Sequence, residues 1–374
     1  SAKGTAQDSI RFVSNAQIPA AGDWYGIVSY GSYSGKVTLK HCRLNNYVQG
    51  ISVTGSGSSA WQTGYVNSDT IAVRNTKFYG GGNALNANWQ EYHPIVFTHN
   101  KIYGAGIHDE INSSYKQYLY NEFIGSNNIN IYVRLRNNDW SNGVKKTARL
   151  NIENNVIENG RIEVSMNSYR AGTRASISNN IINSKQDWYS SINVNMYNSN
   201  DENYVMDSSF IDVSGNKCIS TTQKHGTGIS INLSNKPSKI RVHSNKLHAL
   251  GGIDIYSERS SVGSIKNNDI DSTSYSNGIS LNGLSGIVEG NSINKAGRYG
   301  DYGISLHSNF NYPSVDTLLY NTISNSGYWN NPTSVTTSPN RGGLSINGYT
   351  QVVANYNNFV DNNSFEVVNN VPAA

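Results

Sequence analysis

An irregular asparagine repeat constrains this chain more than any other feature. At twelve places a cysteine or a short polar residue, asparagine in ten of them, lies two positions before an aliphatic or aromatic residue or, in one case, before Cys218. The interval varies from 21 residues, between Asn100 and Asn121, to 37 residues, between Asn321 and Asn358. Such a repeat is typical of a solenoid, whose turns must stack while its loops can grow. The members are Cys42, Thr76, Asn100, Asn121, Asn155, Asn180, Asn216, Asn245, Asn268, Asn291, Asn321 and Asn358.

Short alternating segments accompany the repeat. Gly50-Ile-Ser-Val-Thr and Gly252-Ile-Asp-Ile-Tyr are examples, and because strand side chains point alternately to two faces, their isoleucines and valines are predicted to face inward. Two or three such strands per turn predict an all-β, right-handed parallel β-helix of about thirteen turns. No charged linker interrupts the pattern, so residues 1–374 are expected to form a single domain. The asparagines are predicted to form an internal ladder of hydrogen-bonded amides.

The opening of the chain carries a family resemblance. The segments Lys3-Gly-Thr-Ala-Gln-Asp-Ser-Ile-Arg-Phe and Gly22-Asp-Trp-Tyr-Gly-Ile are similar to the start of many secreted β-helix proteins. Over nearly its whole length the chain resembles the right-handed parallel β-helix superfamily, which includes pectate-lyase-like, carbohydrate-active proteins. The resemblance implies a fold and an extracellular or cell-surface location. It implies no single activity, since such folds carry lyases, hydrolases, epimerases, adhesins and phage proteins.

Charge and composition limit the classes of partner that the chain is expected to bind. The formal net charge of +4 fits an anionic partner weakly. No run of Lys and Arg resembles a nucleic-acid-binding tract, and no stretch of about 18 apolar residues could cross a bilayer, so we expect neither nucleic acid nor a membrane span. The sequence starts at Ser1 without a signal-peptide pattern, which indicates a mature or excised segment. Further domains of a larger chain are an open alternative. Cys42 and Cys218, six turns and about 29 Å apart, are expected to be buried free thiols.

Charged residues concentrate on the outward side of three consecutive strands. The sequence predicts an outward column in which Asn130 lies between His108 and Glu163, and a second column in which Tyr132 follows Glu110. These strands would hold a patch about 10 Å tall along the axis. A surface ion-pair network is the alternative interpretation. The candidate catalytic residues are His108, Asp109, Glu110, Tyr132, Arg134 and Glu163.

Asp109 breaks the alternation. Counting from Ile107 places it inward, where neighbouring turns have aliphatic residues. Either it is a buried carboxylate with a perturbed pKa, or a bulge turns it outward. Both arrangements are commoner near functional sites than elsewhere.

Aromatic residues follow the same strands. Flat aromatic faces beside hydrogen-bonding groups suit sugar rings, whose C–H faces are apolar. The alternative is that these rings only cover loop backbone. The candidate substrate-binding residues are Trp89, Tyr92, Arg136, Trp140, Arg161, Tyr197, Asp254 and Tyr256.

A polysaccharide lyase would use the patch in one way. Arg134 or Arg136 could neutralise a uronate carboxylate and the enolate formed from it, with His108 or Tyr132 as the base. This reaction, a β-elimination on an acidic polysaccharide by a secreted enzyme, is the favoured hypothesis. The competing class is a non-catalytic glycan-binding or adhesive module excised from a larger surface protein.

A glycoside hydrolase is the second catalytic hypothesis. Inverting hydrolases need two carboxyl groups about 6.5 to 9.5 Å apart, and Glu110 and Glu163, two turns apart, are predicted near that range. The polygalacturonase pattern is missing, and His225 is interpreted as a loop histidine. The sequence requires no cofactor; Ca²⁺ is left open, although carboxylates interleaved with arginine disfavour it. No His and Cys spacing indicates zinc, so no metal-binding residue is predicted.

Overall fold

A computed structural model describes most of the chain. The described residues are 1–30, 36–54, 70–87, 94–110, 115–125, 129–137, 148–168, 173–185, 189–198, 209–220, 226–234, 238–248, 251–271, 276–296, 302–309, 311, 313–326, 342–362 and 365–370. Within them the regular elements are β-strands, and no helix occurs. They form two compact units, Ser1–Ile181 with Ser199–Ser209, and Ile182–Asn198 with Phe210–Ala374. The expectation of one domain stays a prediction.

The strands of the first unit form three series, named A, B and C in the order in which the chain passes through them. The A strands are β1 Ala2–Lys3, β4 Thr38–Lys40, β7 Ile71–Arg74, β10 Ile95–Thr98, β13 Tyr115–Leu119, β16 Ala148–Glu153 and β19 Thr173–Ser178. The B strands are β2 Ile10–Phe12, β5 Cys42–Asn45, β8 Lys77–Tyr79, β11 Lys101–Tyr103, β14 Glu122–Ile124 and β17 Val156–Glu158. The C strands are β3 Ile27–Tyr30, β6 Ile51–Thr54, β9 Leu85–Ala87, β12 Ile107–Asp109, β15 Ile129–Asn137 and β18 Gly160–Ser168.

The second unit repeats the three series. Its A strands are β22 Ser209–Ser214, β25 Ser238–His243, β32 Ser314–Leu319 and β35 Thr350–Asn355. Its B strands are β20 Ile181–Ser184, β23 Lys217–Ser220, β26 Lys246–His248, β28 Asp269–Asp271, β30 Ser292–Asn294, β33 Thr322–Ser324 and β36 Asn358–Val360. Its C strands are β21 Ile192–Asn198, β24 Thr227–Ser234, β31 Tyr302–Ser308, β34 Gly342–Gly348 and β37 Phe365–Asn370. Two long strands, β27 Gly251–Lys266 and β29 Ile279–Glu289, pass through both a C and an A position.

Strands of one series pair with each other in parallel. In the first unit β12 pairs with β9 and with β15, and β11 pairs with β8 and with β14. The chain thus returns to the same series after every third strand, which confirms the predicted all-β parallel solenoid. Whereas Ile27 on the first C strand is only partly buried, inward isoleucines and valines of the C strands from β6 to β18, such as Ile51 and Val53, are buried. Each such side chain contributes about 1.5–3 kcal/mol to stability.

Asparagine side chains connect successive turns between the A and B strands. In the first unit the Nδ2 of Asn100 donates to Oδ1 of Asn121 over 3.1 Å, and Asn121 and Asn155 donate onward to Asn155 and Asn180 in the same way. The residue before each member takes a left-handed backbone conformation, as His99 does with φ of 55°. This bend leaves backbone groups without strand partners, and the asparagines satisfy them: the N–H of Asn100 also donates to Asn121 Oδ1.

The second unit contains the same arrangement, with one correction. Asn216, Asn245, Asn268, Asn291 and Asn321 donate in turn to the next member's Oδ1. The last acceptor is Asn357, and the prediction of Asn358 is wrong. Asn357 lies two residues before the inward Phe359, whereas Asn358 begins β36.

The two cysteines are buried free thiols, as expected. Burial raises the pKa of the Cys218 thiol to about 12.

Candidate functional site

The register of three C strands of the first unit defines the outward columns. His108 on β12 pairs with Tyr132 on β15, and Tyr132 pairs with Glu163 on β18. Tyr132 therefore occupies the place predicted for Asn130, which pairs with Arg161 instead. The predicted column order is wrong by two residues at β15.

The reason for this error is physical. Ile107 pairs with Ile131, not with Ile129. A shift of two residues keeps the same side chains inward, so alternation cannot detect it.

His108 and Tyr132 form the centre of the exposed face. Their rings stack with centroids 4.9 Å apart and planes inclined by 16°. The His108 side chain is 44% exposed, so its ring can be reached from solvent. Burial raises the pKa of Tyr132, and the charges of Glu110 and Glu163 add to the rise while Arg134 opposes it. Tyr132 therefore keeps its phenolic proton near neutral pH, which makes it a donor and a ring surface and disfavours it as the base.

Glu110 lies between two cationic or titratable partners. Its Oε1 is 3.7 Å from His108 Nε2 and 3.8 Å from Arg134 Nη1. Both distances are longer than a direct charge-assisted hydrogen bond of about 2.7–2.9 Å. Among the described residues, the buried Nε of Arg134 finds no hydrogen-bond acceptor. The guanidinium is held near Glu110 without being fully satisfied by it.

Glu163 is more tightly paired. Its Oε2 accepts a hydrogen bond from Arg161 Nη2 over 2.8 Å, and Asn130 Nδ2 lies 3.4 Å from the same oxygen. Glu163 therefore fits the alternative interpretation, a surface ion-pair network, better than Glu110 does. A partly exposed pair of this kind contributes about 0.2–1 kcal/mol to stability.

The placement of Glu110 and Glu163 also bears on hydrolysis. They lie two turns and two strand residues apart, so their backbone positions are about 12 Å apart at about 4.8 Å per strand and 3.3 Å per residue. Inverting hydrolases use about 6.5–9.5 Å between carboxyl groups. The offset of two residues therefore makes their backbone separation larger than two turns alone would give.

Asp109 is the buried carboxylate of the two alternatives. Its side chain is fully buried, Lys116 Nζ lies 2.8 Å from its Oδ2, and the Tyr118 hydroxyl donates to the same oxygen over 2.6 Å. Lys116 Nζ also donates to the backbone carbonyl of Arg134 over 2.7 Å. Burial lowers the pKa of Lys116, an effect that Asp109 and Glu110 oppose. Asp109 thus lies on the inner side of the sheet, away from a surface ligand.

Lys116 and Tyr118 were not predicted. Both occupy inward positions of β13, in the segment Tyr115-Lys-Gln-Tyr-Leu. The signal in the sequence was a lysine at an inward position one strand after an inward aspartate. Since an isolated buried charge is costly, each of these residues predicts the other.

The remaining predicted residues fall into three groups. Trp89, Tyr92, Trp140 and the loop histidine His225 lie outside the described residues. For Arg136 and Tyr197 the structure describes backbone positions, paired with Asn167 and Ser234. Asp254 and Tyr256 lie on β27 in the second unit, at exposed positions.

Neither the described residues nor the comparisons with known proteins reveal a metal site, a membrane-spanning helix or a related protein. In the part of the chain that the structure describes, no group of three or more His, Cys, Asp or Glu residues is placed to hold a metal ion. The same described residues contain no helix that is long and apolar enough to span a membrane. Comparisons of the chain with protein-family models, with curated proteins and with solved structures give no match.

Proposed function

We propose that this chain is a secreted carbohydrate-active enzyme that cleaves an acidic polysaccharide by β-elimination. The proposal includes a single right-handed β-helix of about thirteen turns with a continuous internal asparagine ladder. The observation that carries it is the exposed stack of His108 on Tyr132, with Glu110 and Arg134 beside it. Base, aromatic surface, carboxylate and cation thus share one outward face of the C strands.

In this proposal His108 is the base. It takes the proton from the sugar carbon next to the uronate carboxylate, and the released electron pair forms a carbon–carbon double bond as the glycosidic bond breaks. Glu110, 3.7 Å from His108 Nε2, stabilises the imidazolium that results. The leaving oxygen takes a proton from Tyr132, whose raised pKa keeps it protonated beforehand.

Arg134 is the electrophilic group of the proposal. Its guanidinium faces the outer side and is only loosely paired with Glu110, so it can turn to a uronate carboxylate and to the enolate charge that develops there. Arg161, by contrast, is engaged by Glu163 and serves as a positioning and binding residue. An uncommitted cation beside a base favours elimination over hydrolysis.

A non-catalytic glycan-binding or adhesive module is the second candidate. The tight Arg161–Glu163 pair favours this module, because two charged side chains that pair with each other are common on surfaces that carry out no catalysis. Under this alternative the same face binds a glycan without cleaving it, and the chain belongs to a larger surface protein.

The test is an activity screen on acidic and neutral polysaccharides. Unsaturated-uronide absorbance and new reducing ends are followed together, with His108→Ala and Arg134→Ala variants and His248→Ala as a surface control from the other unit. We expect absorbance to rise with reducing ends, and His108→Ala to lower the rate about 10²–10⁴-fold with the control unchanged. Binding without new ends would sink the enzyme proposal, and reducing ends without absorbance would replace elimination by hydrolysis.

A further inference from the structure

Four cations form a continuous column on the outward face of the B strands in the first unit. Arg11 pairs with Arg43, Arg43 with Lys77, and Lys77 with Lys101. The neighbouring positions Leu44, Phe78 and Ile102 are fully buried, so the cations point outward. At about 4.8 Å per strand, the column repeats one positive charge per turn over about 14 Å.

This column is poorly neutralised. Lys101 Nζ lies 2.9 Å from Glu122 at one end of it. Among the described residues, no carboxylate lies within ion-pair distance of Arg11, Arg43 or Lys77. Like charges directly opposite each other destabilise a sheet. Three unbalanced cations in register are therefore a cost to the fold that an anionic ligand would relieve.

A tyrosine pair lies beside the cations. Tyr79 and Tyr103 stack with centroids 4.4 Å apart and planes inclined by 10°. The Arg43 guanidinium lies 4.7 Å from the Tyr79 ring centre, and Lys101 Nζ lies 5.6 Å from that of Tyr103. These contacts hold the two long cationic side chains in place, which lowers the entropy lost when they bind a ligand.

We infer that this basic column, Arg11, Arg43, Lys77 and Lys101, binds a linear acidic polysaccharide at a site separate from the C-strand patch. In a polyuronate every sugar carries one carboxylate, and an extended pyranose chain advances by about one strand spacing per sugar, so successive anions meet successive cations. The tyrosine hydroxyls and ring edges face the sugar hydroxyls. The choice of polysaccharide as ligand rests on the proposed function, whereas binding here needs no catalysis.

Single-stranded nucleic acid fits the column less well. Proteins that bind it offer open aromatic faces on which bases stack. Here the faces of Tyr79 and Tyr103 are covered by each other and by Arg43 and Lys101. The charges are accessible, but a base-stacking surface is missing from this part of the described face.

The experiment compares two charge-matched double variants of the full chain. Arg43→Gln with Lys77→Gln removes two cations from the column. Lys217→Gln with Lys246→Gln removes two paired, exposed cations from the equivalent B-strand positions of the second unit, where the described residues place no tyrosine stack beside them. Binding to polygalacturonate, to a neutral glucan and to a single-stranded oligonucleotide is measured by calorimetry at low and moderate salt, with the thermal midpoint as a folding check.

We expect the column variant to weaken polygalacturonate binding about tenfold or more and to reduce its salt dependence, with the control changed less than about twofold. The neutral glucan should not bind at the column. Equal effects of the two variants, or none from the column variant, would overturn the inference. Tighter binding of the oligonucleotide than of polygalacturonate would overturn the assignment to polysaccharide.

The same measurements separate this inference from the proposed enzyme. A His108→Ala variant should lose cleavage and keep binding at the column, whereas the column variant should lose binding and keep cleavage at saturating substrate. If no polymer is cleaved but the column variant still loses binding, the enzyme proposal fails and the second site stands.

Discussion

Two buried carboxylates, one in each unit, have different surroundings. Asp109 is compensated in the interior by Lys116 Nζ at 2.8 Å and by the Tyr118 hydroxyl. Asp316 on β32 is as deeply buried, but its hydrogen-bond partners are neutral, such as the Gly286 N–H that donates to its Oδ1 over 3.2 Å, and no cation among the described residues pairs with it. Burial raises the pKa of Asp316 to about 7, and hydrogen bonds from Ser314 and Gly286 oppose this rise.

The comparison shows that an inward acidic residue in a solenoid can take two roles. Where a nearby strand supplies a cation, as β13 supplies Lys116, the carboxylate becomes part of a fixed polar network. Where no described strand supplies a cation, as at Asp316, burial favours the protonated, neutral form of the carboxyl group. Asp109 is thus a structural anchor, and Asp316 is a group whose charge depends on pH.

The largest expected effect comes from breaking the compensated pair. Lys116→Met should lower the free energy of unfolding by about 3–5 kcal/mol, because it leaves Asp109 buried without its cation. Urea unfolding followed by circular dichroism measures it. Replacing both partners, Asp109→Leu with Lys116→Met, should recover much of the loss, since two apolar residues leave no unpaired charge. An unchanged single variant would remove the distinction between the two carboxylates.

The next effect is the pH dependence caused by Asp316. Its pKa in the folded state, about 7, is above the unfolded value of about 3.9, so the stability associated with its proton is complete below about pH 4 and lost as pH rises to about 7. The loss is about 4 kcal/mol, or about three pKa units. Asp316→Asn should flatten the stability profile between pH 4 and 8 and stabilise the protein at pH 8.

The control for that profile is a carboxylate on the surface. Asp269→Asn removes a charge from an exposed position of β28 and should leave the slope of stability against pH unchanged. A wild-type profile that is already flat would show that Asp316 is compensated as Asp109 is.

The smallest stability effect is expected at Arg134, which makes contacts on the inner side of the sheet through its backbone and on the outer side through its side chain. Its backbone carbonyl accepts the hydrogen bond from buried Lys116, while its side chain lies outside near Glu110. Arg134→Met keeps the carbonyl and should change stability by less than about 1 kcal/mol. The proposed elimination rate should fall about 10²–10³-fold. A loss of stability as large as that of Lys116→Met would show that the side chain, too, is structural.

Much of the scaffold was predictable because its signals are local. The alternation of Ile51 and Val53 with polar neighbours predicted their burial, and the asparagine repeat predicted the parallel solenoid. Its one wrong member arose where Asn357 and Asn358 both precede an apolar residue by two positions. In the structure Asn321 Nδ2 donates to Oδ1 of Asn357.

The candidate sites were less accessible from sequence. Arg11, Arg43, Lys77 and Lys101 are separated by 32, 34 and 24 residues, so no linear run reveals them. For three of them the usable signal was a position directly after a repeat member, as in Cys42-Arg43, Thr76-Lys77 and Asn100-Lys101; Arg11 follows no repeat member.

The sequence alone determined which residues face inward and where each turn bends, because both depend on neighbouring residues and on backbone conformation within a few positions. The tertiary structure decided the register between turns, that is, which residue of one turn pairs with which residue of the next. That choice placed Tyr132 under His108 and gave Lys116 to Asp109. Slipping a strand by two residues leaves every inward side chain inward, so only the packing of whole turns distinguishes the registers.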